Sequence, residues 1–379
     1  MRTRTAFTPS RWRLALAFAV AFAAGLGTWL APLGSSRAVA AAPAEFYGVA
    51  TLTAMGQNDF NRLARANIRT VRIPMYWPAL ATGPGRYNWL NYDGTVIHAV
   101  KAGVRIIPTF LGSPKFVSGE PMRPPLDSAT DRALWHDFVR SAVERYGPGG
   151  EFWDFVRACP PHPGHCRPDI PYRPFVVWQG WNEPNHEPFW RPTPSPGEYA
   201  DLLAITNDAV KSVDPGAELI TGGIAPGGRG AIGSIPQNDF IAAMYQRGAA
   251  GSFDGLDLHP YSRKPKQARG LVQDARAVTQ AYGDGQTPLW ITEIGWSTKG
   301  PKDSDQVTSR KGQGKRLAKV MKMFTSLRNS LGIKLASWFA YKDAATSLCV
   351  WCHGTGLFDN EDRPKPAWRK YVGVTGGQQ

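Results

Sequence analysis

The sequence predicts an α/β chain folded as a single (β/α)8 barrel, the TIM-barrel architecture. Three observations carry this. Short apolar runs of strand character alternate with helix-like segments, and the strand-like runs number eight. The alternation fills roughly 330 residues, inside the usual range for such barrels. No G-x-G-x-x-G follows the first run, whereas an open doubly wound sheet would normally carry one there.

Taken in order, the strand-like runs fall at 45–50, 70–77, 105–110, 175–181, 218–225, 253–261, 288–295 and 335–341. They are rich in β-branched and aromatic residues, which fit a pleated, buried surface. Helix-like segments lie at 59–66, 91–102, 129–146, 198–213, 238–247, 267–282 and 306–330, with a last one starting near Pro364. Several carry start signals, among them Ser195-Pro196 ahead of Glu198 and the acidic Asp303 and Asp305 ahead of Gln306. The longest interruption, 147–174, is rich in proline and glycine and reads as a loop insertion ahead of strand four. Gly222-Gly223 and the glycines at 227, 228 and 230 read as a flexible loop after strand five.

Residues 1–40 carry Arg2, Arg4, Arg11 and Arg13, then an uncharged run over 14–33, then Ala38-Val39-Ala40. This is the pattern of a secretory signal peptide with small residues at the cleavage site, so residues 41–379 are expected to form the mature domain, secreted and free of the membrane. An uncleaved anchor is the competing reading, since the apolar run is about long enough to span a bilayer. Gly25, Gly27 and Pro32 weaken it. An exported chain with Cys159, Cys166, Cys349 and Cys352 is expected to hold disulfides, and local pairing of 159 with 166 and 349 with 352 is preferred. A redox role for Cys349-Val-Trp-Cys352 and a zinc site around His162 and His165 both lack the expected sequence context.

Residues 1–40 hold five arginines and no acidic residue, so their removal lowers the formal charge from +14 to +9. A basic mature domain favours anionic surroundings, an acidic polysaccharide or a cell envelope among them. No basic cluster interleaves with aromatics as a nucleic-acid groove would require, so no nucleic-acid partner is expected, and the domain is expected to act as a monomer.

Chemistry concentrates at the strand ends. Strand four ends in Asn182-Glu183-Pro184-Asn185, where proline removes a ladder donor and stops the strand, leaving Glu183 at its C-terminal lip. A lone Asn-Glu-Pro is equally the mark of a surface turn. Strand seven, however, delivers a second glutamate, Glu293, near its own end. In a (β/α)8 barrel all such ends meet on one rim. On strand six Asp257, His259 and Tyr261 share one parity and Leu256 and Leu258 the other, so the polar set is expected in the lumen. Arg72 on strand two and Trp338 on strand eight join the same rim. Two carboxyls suit hydrolysis of a glycosidic bond, one protonating the leaving oxygen and one answering the oxocarbenium-like charge. Trp77, Trp178, Trp181, Trp190, Trp296, Trp338 and Trp351 lie near strand ends, where flat rings can stack on sugars.

Trp181-Asn182-Glu183-Pro184-Asn185, the 259–261 strand, Ile291-Thr292-Glu293-Ile294-Gly295-Trp296, and Gly356-Leu357-Phe358-Asp359 followed by Pro364-Lys365-Pro366-Ala367 together resemble the retaining glycoside hydrolases of clan A. Within that clan the cellulase-like family five and the β-xylosidase-like family thirty-nine look nearest, and the likeness runs over residues 45–372. The resemblance implies Glu183 as general acid/base and Glu293 as nucleophile, with Asn182 bonding the sugar 2-hydroxyl. It implies that Arg72 and Tyr261 support Glu293, that His259 lines the cleaved subsite and that Trp338 forms its floor. The retaining mechanism implies carboxyls about 5 to 5.5 Å apart and calls for no metal or cofactor. The expected function is secreted, retaining hydrolysis of a β-linked oligo- or polysaccharide, with a non-catalytic carbohydrate-binding barrel as the alternative.

Overall fold

A computed structural model describes residues 42–157, 169–227, 233–344 and 349–379. The expected signal segment 1–40, Cys159, Cys166, His162, His165 and the glycines at 228 and 230 lie outside the described residues. Eight parallel strands are present: β1 (Tyr47–Ala50), β2 (Thr70–Tyr76), β3 (Arg105–Leu111), β4 (Val177–Gly180), β5 (Glu218–Thr221), β6 (Leu256–Asp257), β7 (Leu289–Ile294) and β8 (Ile333–Phe339). Each is followed by a helix: α1 (Gln57–Arg65), α2 (Leu90–Lys101), α3 (Ala129–Tyr146), α4 (Pro196–Val213), α5 (Gln237–Gln246), α6 (Pro265–Ala281), α7 (Arg310–Leu331) and α8 (Pro366–Thr375).

Neighbours in the sheet run β5-β4-β3-β2-β1-β8-β7-β6. Single parallel bridges, Ile220 to Gly255 and Ile224 to Leu258, join the two edges and complete the round. β1 closes the other side, with Gly48 opposite both Thr70 of β2 and Ser337 of β8. The barrel floor is plugged by Ile107, Val177, Ile220, Trp290 and Leu335, one side chain from each of five strands. A larger apolar layer lies between sheet and helices, where for example Phe110 and Trp178 stack at 5.4 Å. Burying both faces of every strand explains why the strand sequences read as near-continuous apolar runs rather than alternating ones.

Local chemistry sets the element ends. The Ser195 hydroxyl accepts the Glu198 amide at the start of α4, and Ser128 and Ser309 do the same for α3 and α7. α7 therefore begins at Arg310 rather than 306. Residues 306–308 instead pair with Ser297, whose amide donates to the Gln306 carbonyl at 2.7 Å. The insertion ahead of β4 contains a short helix, Glu151–Arg157.

Strand six is much shorter than 253–261. Ladder bonds continue as far as the His259 amide, which donates to the Ile224 carbonyl at 3.0 Å, and the backbone then folds back, with the Tyr261 amide donating to the His259 carbonyl at 2.6 Å. Gly222 and Gly223 also differ from expectation, being tightly packed rather than part of a flexible loop. A Cβ on Gly222 would meet the Trp181 backbone at 2.9 Å, and one on Gly223 would meet His259 Nε2 at 1.9 Å. The pair is glycine because a neighbouring chain and an imidazole occupy that space.

Candidate active site

The C-terminal rim of the barrel opens into a cleft that holds both glutamates. Glu293 is the next-to-last residue of β7. Glu183 is placed by a distorted turn after β4, in which Trp181 and Glu183 take φ of 77° and 41°. Non-glycine residues pay a steric penalty there, so surrounding contacts must impose the shape. They do so from both sides: the Trp181 indole donates to the Phe189 carbonyl at 2.6 Å, and Asn185 clamps the turn to the next loop. Its amide donates to the carbonyls of Ala225 and Ile235 and its oxygen accepts the Ala225 amide.

Arg72 is buried and organises one half of the site. Its guanidinium donates through Nη1 to Glu293 Oε1 at 2.5 Å, through Nη2 to Asn182 Oδ1 at 2.6 Å and through Nε to Gln179 Oε1 at 2.5 Å. Tyr261 donates its hydroxyl to the other oxygen of Glu293 at 2.7 Å. Because Arg72 takes the oxygen of Asn182, the amide donor of that side chain is the group left for a ligand in the cleft.

Among the described residues Glu183 bonds no such cation. Its Oε1 lies 2.8 Å from His259 Nδ1, and its Oε2 stands 3.7 Å from His186 Nδ1. Oxygen atoms of Glu183 and Glu293 lie within 4.8 Å of each other. That proximity is consistent with the separation of about 5 to 5.5 Å that a retaining mechanism needs.

Both carboxylates are nearly sealed from water, at 8% and 7% exposure, so desolvation pushes both toward the neutral form. The outcomes differ. Glu183 is held well above the usual carboxylate range, first by burial and then by the charge of Glu293. Glu293 is raised by burial too, but Arg72 and the Tyr261 hydroxyl pull it back. His259, at 0% exposure, is kept neutral by burial and by the Arg72 charge, and burial brings His186 down to about 4. Beneath them Asp257, pushed up to about 7 mainly by burial, accepts from the Thr292 hydroxyl at 2.5 Å. Glu183, His259 and Glu293 have the composition of a metal triad. Both Glu293 oxygens are already committed to Arg72 and Tyr261, and the guanidinium supplies the positive charge, so the residues do not fit a resident cation.

The structure thus brings Glu183, Glu293, Arg72, Asn182, His259 and Tyr261 together. His259 sits behind Glu183 rather than on the cleft surface. Trp338 and Trp296 are not brought in, which corrects the expectation that Trp338 floors the cleft. On β8 the residues Leu335 and Phe339 face the lumen, so Trp338 has the opposite parity and faces the helices. Its indole donates to the Thr355 carbonyl at 3.0 Å, and it packs 6.1 Å from Trp296, which in turn donates to the Ser262 carbonyl and lies under the Arg316 guanidinium. Phe339 lines the cleft instead. Of the seven rim tryptophans only Trp351 reaches it, resting edge-on against Tyr261 at 5.1 Å between Cys349 and Cys352. Those two cysteines face each other with Cα atoms 5.4 Å apart, the separation a disulfide spans.

Sequence reading missed Gln179, Thr292 and Phe339. Gln179 was detectable as the lone polar residue inside an apolar strand. It accepts from Arg72 and Thr109 and donates to Asp257, tying the two halves of the site.

No protein-family model matches the chain, and no curated protein sequence matches it. Solved structures do. A family 39 glycoside hydrolase from Bacteroides cellulosilyticus WH2 is similar with a TM-score of 0.64 at 19% identity, covering 88% of this chain and 64% of that one. A monomeric β-xylosidase from Caulobacter crescentus CB15 is similar with a TM-score of 0.59 at 19% identity, covering 86% and 67%. A GH5_18 protein from Bifidobacterium longum subsp. longum ATCC 55813, crystallised with Manβ1-4GlcNAc, is similar with a TM-score of 0.59 at 15% identity, covering 87% and 77%. The chain spans 64% of the length of the first of these. The fold is therefore the (β/α)8 barrel that families 39 and 5 of the clan A glycoside hydrolases share.

Proposed function

We propose that this protein is a retaining β-glycoside hydrolase. The observation that carries the reading is the pairing of Glu183 and Glu293 across one cleft in unequal surroundings: Glu293 bonded to Arg72 and Tyr261, Glu183 bonded to no guanidinium among the described residues. In the first step Glu293 attacks the anomeric carbon while Glu183 gives its proton to the leaving oxygen. In the second, Glu183 takes a proton from a water that attacks the same carbon and releases Glu293. The unequal proton affinities suit these roles, since a nucleophile must be ionised and an acid neutral at the same pH.

The substrate is a β-linked oligo- or polysaccharide, and the protein works outside the cell as a monomer, with Cys349 and Cys352 as a disulfide. Supporting an acidic polymer as the surrounding medium, Lys311, Lys315, Lys319 and Lys322 lie exposed along α7, a helix without an acidic residue. The barrel as a non-catalytic binding module is the other reading, and the strained turn at Glu183 speaks against it. A panel of aryl β-glycosides incubated with wild type and Glu293→Ala separates the two. Hydrolysis by the wild type alone supports the enzyme; glycan binding by two equally inert proteins removes it.

A further inference from the structure

Behind Glu183 runs a chain of buried groups that the two-carboxylate mechanism leaves unused. Asp257 Oδ1 accepts the amides of Leu258 and Thr292, at 2.9 and 3.0 Å, and Oδ2 accepts from Gln179 Nε2 and from the Thr292 hydroxyl. Four donors converge on it, which makes it the accepting end of the chain. The Thr292 hydroxyl, having given its one proton to Asp257, can only accept from His259 Nε2, 3.0 Å away. His259 is neutral and carries one ring proton, so placing it on Nε2 leaves a lone pair on Nδ1. That lone pair faces Glu183 Oε1 at 2.8 Å.

We propose that Thr292 and Asp257 are positioning residues that fix the tautomer of His259, so that its Nδ1 accepts a hydrogen bond from the protonated carboxyl of Glu183 and thereby keeps Glu183 in the acid form. The inference rests on the glycosidase reading for its purpose, but not for its geometry. A hydrogen bond available only to the neutral carboxyl favours that form. When Glu183 hands its proton to the leaving oxygen, its carboxylate is left 2.8 Å from an unprotonated nitrogen. This arrangement favours recapture of a proton from the water that attacks the glycosyl-enzyme, and the relay itself gains or loses none. The other groups acting on Glu183 are Glu293 and Asp257, whose charges also raise its proton affinity, Arg72, which lowers it, and His186, neutral at working pH. All of these remain when Thr292 is changed, so the relay can be isolated.

The decisive experiment is nitrogen-15 NMR of the histidine side chains in the full chain at pH 8, where Asp257 is ionised. The His259 signals are assigned by their loss in His259→Gln. An Nε2–H tautomer in the wild type, becoming mixed in Thr292→Val and restored in Thr292→Ser, is the expected result; an Nδ1–H tautomer in the wild type overturns the proposal. Kinetics give the second arm. In Thr292→Val the alkaline limb of kcat/KM moves down by about one pH unit, roughly a tenfold change in the Glu183 proton equilibrium, with Thr292→Ser restoring it. An alkaline limb that does not move in Thr292→Val also overturns the proposal. If no glycoside is hydrolysed yet the NMR shows the Nε2–H tautomer, the relay stands and the glycosidase reading falls.

Discussion

Arg72 Nη1 lies 2.5 Å from Glu293 Oε1, while among the described residues no guanidinium nitrogen bonds Glu183, its neighbour across the cleft. One cation bonded to one member of a carboxylate pair is enough to separate their proton affinities, because both are desolvated alike and Arg72 hydrogen-bonds only Glu293 while acting on Glu183 through its charge alone. Removing it leaves Glu293 buried and unpaired. Arg72→Met should cost roughly 3–5 kcal/mol of stability, as for other broken buried ion pairs. It should also shift the acidic limb of the rate profile to higher pH. Urea unfolding and pH-rate curves measure the two effects separately.

The pH dependence has a defined sign. Glu293 must be ionised, so activity falls as pH drops through its value, and Glu183 must be neutral, so activity falls as pH rises through its own, which lies well above the usual carboxylate range. A bell is expected in kcat/KM, with Glu183→Gln losing the alkaline limb and about 10²–10⁴ in rate on poor leaving groups while sparing activated ones. Linkage gives a stability counterpart. A carboxyl whose folded value is raised stabilises the fold below its unfolded value, near 4.3, and that contribution is lost as pH rises through the folded value. Glu183→Gln should therefore raise Tm more at pH 8 than at pH 4, by a few degrees.

Gly223 is the most sequence-specific packing constraint in the site. Gly223→Ala would drive a methyl into the His259 ring, displacing the imidazole from Glu183. A loss of about 1–3 kcal/mol by thermal unfolding is expected from overpacking, together with a rate loss on poor leaving groups exceeding that of any alanine substitution at an exposed glycine such as Gly119.

Trp351 and Trp338 should behave oppositely. Trp351→Ala should raise KM roughly tenfold with little change in Tm, since it removes an aromatic face from the cleft. Trp338→Ala should cost about 3–5 kcal/mol, because it empties a buried site between sheet and helices. Melting curves and saturation kinetics on the same two proteins distinguish cleft from core.

Most of the barrel could be read from the chain because its signals are local. Several runs end at a proline or a glycine, as at Pro78, Gly112, Pro184 and Gly295, and the eightfold alternation requires no long-range information. Glu183 and Glu293 were legible for the same reason, each lying next to a strand end whose direction the fold fixes. What failed was the face of a side chain near an irregular end. Trp338 and Phe339 are adjacent, and a one-residue difference in phase decides which enters the cleft. Asp257 ends a two-residue strand, the backbone turning back on itself by Tyr261, and no pattern announces that. Gly222 and Gly223 look like a hinge, because the residues that demand their smallness, Trp181 and His259, are some forty positions away in either direction.

The central claim is that Glu293 forms a covalent bond to the sugar while Glu183 assists. Incubation with a slow 2-deoxy-2-fluoro aryl β-glycoside, followed by peptide mass analysis, tests it directly. The account predicts one added glycosyl group on the peptide containing Glu293, and product of unchanged anomeric configuration from the natural linkage. A label on another residue, or hydrolysis with inverted configuration and no label, would contradict it.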